Sequence, residues 1–189
     1  MSKFLDTYFI DFKSVLDDFL KNEQNVAFLN EAVLILEETR KSKKMIYLVG
    51  NGGSSAIAEH MAIDLTKNAG LRAIAISGSP MLTTFANDFG YEKVFQKPIE
   101  SFGNEGDILI AISSSGASVN ILNACEAARR QKMKIITFSA FKKDNPLRQK
   151  GDLNLWVDSK AFGYVELIHN LLIHYINDSI IGAAEYMIR

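Results

Sequence analysis

The chain has 189 residues, 48% of them hydrophobic and 23% charged, with a formal net charge of −1. This length suits one folded unit with a sizeable core, and the near-neutral balance excludes both a disordered chain and a basic surface built for nucleic acid. The single cysteine, Cys125, excludes an intrachain disulfide, and no stretch approaches the ~18 uninterrupted apolar residues of a membrane span.

In chain order, Phe4, Leu5, Tyr8, Phe9, Phe12, Val15, Leu16, Phe19 and Leu20 recur at helical spacing. After Asn22 to Asn25 a second helical series runs Phe28, Leu29, Ala32, Val33, Leu36. Residues 1–43 therefore read as a helical hairpin whose aromatic stripe must pack on the main body or on another subunit. The expectation that the N-terminus carries no signal peptide rests on Asp6 and Asp11, which break its apolar run. From residue 44 onward short apolar runs alternate with helical patterns: MIYLVG, then 53–68; LRAIAIS, then 79–86 and 91–102; DILIAIS, then 117–131; KIITFSA, then a short 145–149; LNLWV, then 163–188. That alternation predicts an α/β fold, a doubly wound sheet of five parallel strands, over 44–189. Pro80 and Pro146 suit helix starts, and Pro98 is expected to bend or divide the pattern around it. Cys125 reads as a buried small hydrophobe, Trp156 and Tyr164 as core or interface aromatics, and Lys142, Lys143, Arg148 and Lys150 as a solvated loop.

Two of the strands run straight into small polar loops, GNGGSS at 50–55 and SSSGAS at 113–118. In a doubly wound sheet ligands bind beyond the carboxyl ends of the strands, where helix N-termini offer unpaired amides. The glycines permit close backbone approach, and Ser54, Ser113, Ser114, Ser115 and Ser118 supply hydroxyl donors without charge, which suits a phosphate. Each serine taken singly is also a plausible helix cap. The first loop lacks the spacing of a dinucleotide fingerprint, and no Walker lysine-serine pair follows it.

GNGGSS, the ANDFG of 86–90 and GDILIAISSSGAS at 106–118 resemble the SIS (sugar isomerase) domain, and NGGS with NDFG narrows the resemblance to the phosphoheptose isomerases. The resemblance spans nearly the whole chain and implies a single SIS domain over 1–189. It implies substrate contacts at Asn51, Gly52, Gly53, Asn87, Asp88, Ser113, Ser114, Ser115 and Ser118, with Ser54 added as a donor of the first loop.

The three histidines, His60, His169 and His174, each fall near a carboxylate on a predicted helix. His60 and Asp64 are i and i+4 and share a face, whereas Glu166 and His174 lie within ~80° of each other around a 3.6-residue helix. From spacing alone these are either surface His-acid pairs or the halves of a divalent-metal site. The resemblance implies the second: His60, Asp64, Glu166 and His174 as ligands of zinc or another divalent ion, with Asp64 or Glu166 as base and His174 as acid partner. Asp64 stands where the family has glutamate, Glu166 where it has glutamine, and Asn68 where it usually has an arginine.

The implied activity is aldose-ketose isomerisation of a sugar phosphate, sedoheptulose 7-phosphate to D-glycero-D-manno-heptose 7-phosphate through an enediol, for surface-polysaccharide precursors. The expected protein is a cytoplasmic homotetramer with active sites between subunits, with no nucleic-acid or membrane partner. The alternatives are a non-catalytic relative that binds a replication-initiation protein, and a sugar-phosphate sensor, which needs the serine loops but no acid-base pair.

Overall fold

Asn22 interrupts the N-terminal helical pattern by taking the chain out of helical conformation, and its side chain accepts from the backbone N–H groups of Gln24 and Asn25. In the computed structural model, which describes residues 3–185, this one residue separates α1 (Lys3–Lys21) from α2 (Glu23–Lys41). The break is thus shorter than the 22–25 expected, because a side-chain cap starts the second helix at once.

The expected alternation follows: β1 (Met45–Gly50), α3 (Gly53–Lys67), β2 (Arg72–Ala75), α4 (Ser79–Phe89), α5 (Gln96–Phe102), β3 (Ile108–Ser113), α6 (Val119–Arg130), β4 (Lys134–Ala140), β5 (Leu153–Val157) and α7 (Phe162–Ile181). All strand pairs are parallel, in the order β2-β1-β3-β4-β5. The order reverses at β1, which pairs with β2 on one side and β3 on the other. The sheet is therefore doubly wound with its switch point between β1 and β3.

Alternate residues of each strand feed opposite layers, the expected behaviour of a pleated strand covered on both faces. Ile46, Leu48, Ile108, Ile110 and Phe138 pack with Leu29, Leu36, Met61, Leu65, Leu172 and Ile176 of α2, α3 and α7. Tyr47, Val49, Leu109, Ala111 and Ile135 pack with Phe95, Ile99, Ile121, Ala124 and Cys125 of the α5–α6 side. Cys125 is buried, and desolvation pushes its thiol up to about 12, so it packs as an uncharged hydrophobe.

The α1 stripe divides. Phe19 is buried and Phe12, Val15 and Leu16 pack against the core, whereas Phe4, Phe9 and Ile10 are mostly exposed. Pro98 does not divide its helix: it sits buried in the first turn of α5, where its missing N–H costs no helical bond. The interruption between α4 and α5 comes from Gly90, at φ 87°, followed by a 3-10 turn over Tyr91–Lys93. The closing helix ends at Ile181 rather than 188, because Gly182 adopts the left-handed conformation and returns its N–H to Asp178. Residues 186–188 of the expected helix lie outside the described residues.

Asp107 ties the entries of the two switch-point strands together. Only 3% exposed, it accepts from the N–H of Met45 at 2.9 Å and of Asn104 at 2.9 Å. Asp107→Ala strands both N–H groups, so urea unfolding is expected to show a loss of about 2–6 kcal/mol, taking ~1–3 kcal/mol for each unsatisfied group. A loss below about 0.5 kcal/mol would refute the bracing role.

Candidate active site

The turn from β1 into α3 is drawn tight by Gly52 at φ 54°, which serves as N-cap with no side chain to offer. The turn from β3 into α6 ends in Ser118, which makes no capping bond to its helix. Helix capping is therefore not what these residues do at either start. Ser113 instead receives the N–H of Gly116 on its Oγ at 3.2 Å, and its Oγ lies 3.3 Å from that of Ser118, which closes the second loop on itself.

Asn51, Ser54, Ser113, Ser114, Ser115 and Ser118 together line a cleft of about 250 Å³, closed on its far side by Phe162 and Glu166 from the start of α7. Among the described residues no lysine or arginine lines it. The hydroxyl of Ser114 is buried there with no hydrogen-bond partner among the described residues. A buried hydroxyl without a partner costs free energy that a bound anion recovers, so the cleft has the donor chemistry of a phosphate site. Gly52 is exposed at the mouth. Asn87 and Asp88 do not line the cleft. They are exposed on the last turn of α4 and bond to each other at 2.8 Å, so they are not the awkward buried polar pair that flanking phenylalanines suggest.

The Glu166 carboxylate lies over Gly53, where a Cβ would meet its oxygens at 2.5 and 2.7 Å. Glu166 walls the serine cleft and also a second hollow of about 420 Å³ that continues between α3 and α7 past Gly53 and His60. Beyond His60 the surface opens to Asp64, Lys67, Asn68, His174 and Asp178. The three hollows lie in succession along the furrow between α3 and α7: the first two share Glu166 as a wall, and the third has no lining residue in common with them.

Near that far end, three of the four anticipated ligands converge. Asp64 Oδ2 stands 3.4 Å from His60 Nε2 and 3.8 Å from His174 Nδ1, and the three ligand atoms lie within 4.8 Å of one another. The other oxygen of Asp64 accepts from Asn68 at 3.2 Å, which fixes the plane of the carboxylate. The imidazoles meet edge to face with centroids 5.0 Å apart. Asp64 is the most enclosed of the three, its side chain 16% exposed. Glu166 does not join this group. Its angular position on α7 matches that of His174, but eight residues separate them by about 12 Å of helix rise, and its carboxylate turns toward Gly53.

Two nitrogens and one carboxylate oxygen are the donor set of a catalytic zinc site with an open fourth position. Ligands about 2.0–2.2 Å from a tetrahedral ion stand roughly 3.3–3.6 Å apart; the two Asp64–imidazole separations of 3.4 and 3.8 Å come close to this, and the full set, spread over up to 4.8 Å, would have to draw in by about 1 Å to share one ion.

His169, between the two functional ends of α7, is fully buried against Phe138 and contacts the Ser139 carbonyl at 3.3 Å. Desolvation pulls its pKa down to about 4, so it is a neutral core residue that ties α7 to the end of β4. Neither motif nor spacing marks Asn120 or Tyr91 as a site residue, yet both bond to Asn51 at the cleft. Asn120 is legible only as a polar residue on the otherwise apolar inner face of its helix.

The doubly wound sheet with serine loops at its switch point defines an SIS-domain protein, and the SIS domain pattern matches residues 7–140. Relatives include the phosphoheptose isomerases of Histophilus somni, 36% identical with 90% of each chain covered, and of Yersinia pestis, 38% identical over 86% of this chain and 85% of that one. Among solved structures, phosphoheptose isomerase GmhA from Neisseria gonorrhoeae superposes with a TM-score of 0.87 at 28% identity, covering 93% of this chain and 97% of that chain. A phosphoheptose isomerase from Francisella tularensis gives 0.88 at 26% identity, covering 96% and 100%. The chain belongs to the phosphoheptose isomerase family and is an isomerase.

Two outcomes test this geometry. Gly116, at φ 62°, faces Asn145 Oδ1 at 2.0 Å from any added Cβ, so Gly116→Ala is expected to cost about 2 kcal/mol or more in thermal unfolding and to weaken anion binding with it. The neutral His169 stabilises the fold fully above the unfolded pKa of about 6.5 and progressively less as pH falls toward 4, because the unfolded chain then binds the extra proton. Unfolding followed from pH 7 to 4 should show a loss of up to about 3 kcal/mol that His169→Leu removes; an unchanged slope in that variant would contradict the assignment.

Proposed function

We propose that this enzyme interconverts sedoheptulose 7-phosphate and D-glycero-D-manno-heptose 7-phosphate, as a cytoplasmic step toward surface-polysaccharide precursors. The observation that carries the reading is the enclosed Asp64 carboxylate held between two imidazoles in the same furrow as the serine cleft. A sensor needs the cleft but not that cluster.

In this reading Ser54, Ser113, Ser114, Ser115 and Ser118, with Asn51 and the amides at Gly52 and Gly53, hold the phosphate. Fixing the phosphate fixes the register of the sugar carbons along the furrow, which converts a chance encounter into a positioned reaction. Asn87 and Asp88 belong to the substrate site only by resemblance, and their exposed position on α4 makes them its outermost members.

Isomerisation takes a proton from C1 of the ketose and returns it to C2, while a second group moves a proton between O1 and O2. Asp64 serves as the base at carbon and His174 as the proton carrier at oxygen; at 3.8 Å they stand too far apart for a direct hydrogen bond, so each acts on the substrate rather than on the other. Glu166, over Gly53, supplies a second carboxylate that accepts hydrogen bonds from sugar hydroxyls and stands as the other basic group along the chain of carbons. His60, Asp64 and His174 would hold a zinc ion, and such an ion supplies Lewis-acid polarisation of a carbonyl oxygen. Asn68 keeps Asp64 oriented where the family usually carries an arginine.

We further propose a homotetramer with active sites between subunits. Phe4, Phe9 and Ile10 of α1 and Leu167, Leu171 and Tyr175 of α7 are exposed beside the furrow-forming helices, an apolar surface suited to an intersubunit helical bundle.

Asp64→Asn is expected to lower kcat for sedoheptulose 7-phosphate by about 10² or more, with unchanged thermal stability and unchanged phosphate affinity. His174→Ala should lower both zinc content by elemental analysis and the rate. Full turnover by Asp64→Asn together with inactivity of Glu166→Gln would move the base to Glu166, and product analysis showing no aldose from the wild-type protein would remove the reading.

A further inference from the structure

Asn51 directly follows β1 and Asn120 lies in the first turn of α6, 69 residues later, yet their side chains form a reciprocal amide pair. Asn51 Nδ2 donates to Asn120 Oδ1 at 2.9 Å, and Asn120 Nδ2 donates to Asn51 Oδ1 at 2.9 Å. Asn120 Oδ1 also accepts from the N–H of Ile121 at 3.0 Å, which fixes which end of its amide is oxygen. That assignment dictates the orientation of Asn51 in turn, because a flipped amide would set N–H against N–H and oxygen against oxygen.

A third group completes the arrangement. The Tyr91 hydroxyl donates to Asn51 Oδ1 at 3.0 Å from the 3-10 turn after α4, and that turn rests on α6 through Asn123, whose Nδ2 donates to the Glu92 carbonyl at 2.9 Å. Asn51 Oδ1 then has two donors, and one of its two Nδ2 protons is spent on Asn120. The second is left for a ligand in the cleft that Asn51 lines. Asn120 is 4% exposed and does not line that cleft, so it acts on a ligand only through Asn51.

We propose that Asn120 and Tyr91 are positioning residues that latch the two serine loops into one preorganised phosphate site, by holding Asn51 with a single N–H aimed at the ligand. This rests on the isomerase reading for the identity of the substrate, but the latch itself is a property of the anion cleft. The two loops belong to separate strand-helix turns, and the amide pair ties the first loop to the opening turn of the helix that follows the second, across the switch point. Preorganised donors bind an anion without the cost of ordering them first.

A double-mutant cycle tests it. Asn51→Ala, Asn120→Ala and the double variant are titrated with inorganic phosphate by calorimetry, and the wild type and Asn120→Ala are assayed with sedoheptulose 7-phosphate. Each single change is expected to weaken phosphate binding about five- to tenfold, and the double variant no further than the worse single one. In turnover the Asn120→Ala loss falls on KM rather than kcat. Tyr91→Phe should weaken binding about two- to threefold in the wild-type background and have no effect in Asn51→Ala. If Asn120→Ala does not fold, Asn120→Asp, which keeps the shape and the acceptor for Ile121 but loses the donor to Asn51, replaces it in the cycle. Additive effects, or wild-type affinity in the Asn120 variant, overturn the latch while leaving the isomerase reading intact. Non-additive phosphate binding in a protein that does not isomerise the sugar leaves the latch standing and removes the substrate reading instead.

Discussion

In a parallel sheet every strand delivers its carboxyl end to the same edge, and the helix that follows must turn back from there. Because the chain leaves β1 in one direction and enters β3 on the other side, two neighbouring strands open into helices that lie on opposite faces. The gap between those turns cannot be filled by backbone, and both turns present N–H groups toward it. Everything that the site does with an anion follows from this reversal. The serines fill the gap with hydroxyls, the glycines let the chain approach closely, and the Asn51–Asn120 pair spans it.

The second half of the site depends on how α7 lies against α3. A helix that is apolar on its inner face, with Val165, Ile168, Leu172, Ile173 and Ile176 buried, has one face left for chemistry. Its register is pinned by His169, which reaches the Ser139 carbonyl while neutral. With that residue fixed, Glu166 falls one turn earlier, over the first serine loop, and His174 falls later, beside Asp64. The carboxylates are thereby given separate stations along the furrow, one near the phosphate end and one in the imidazole cluster. Gathering both in one place without a cation would cost each the repulsion of the other.

The departures from the family pattern have local accounts. Aspartate at position 64 is shorter by one methylene than the glutamate the resemblance leads one to expect, and both imidazoles nevertheless stand within 4 Å of it. Asn68, where the resemblance leads one to expect an arginine, is close enough to donate to the same carboxylate and adds no charge of its own. A carboxylate between imidazoles suits both proton transfer and cation binding. The solved phosphoheptose isomerases superpose over nearly their full length, so these changes are accommodated without altering the path of the chain.

The features legible in the sequence were those set by short range. Continuous apolar runs such as MIYLVG and ILIAIS declared strands buried on both faces, their alternation with helical patterns declared the parallel sheet, and the two serine loops declared the ligand edge. The His60–Asp64 contact was equally legible, since residues four apart on a helix share a face whatever the rest of the chain does. What spacing could not give was any distance across elements. The angular match of Glu166 with His174 suggested a common target, but rise along the helix and the docking of α7 sent them to different partners. His169 looked like its neighbours in the sequence and became a neutral core residue because burial, not composition, sets its proton affinity. Asn120 and Tyr91 were invisible as site residues for the same reason: a hydrogen bond between residues 69 apart exists only once the sheet has brought β1 and β3 together and so determined which side chains face each other across the switch point.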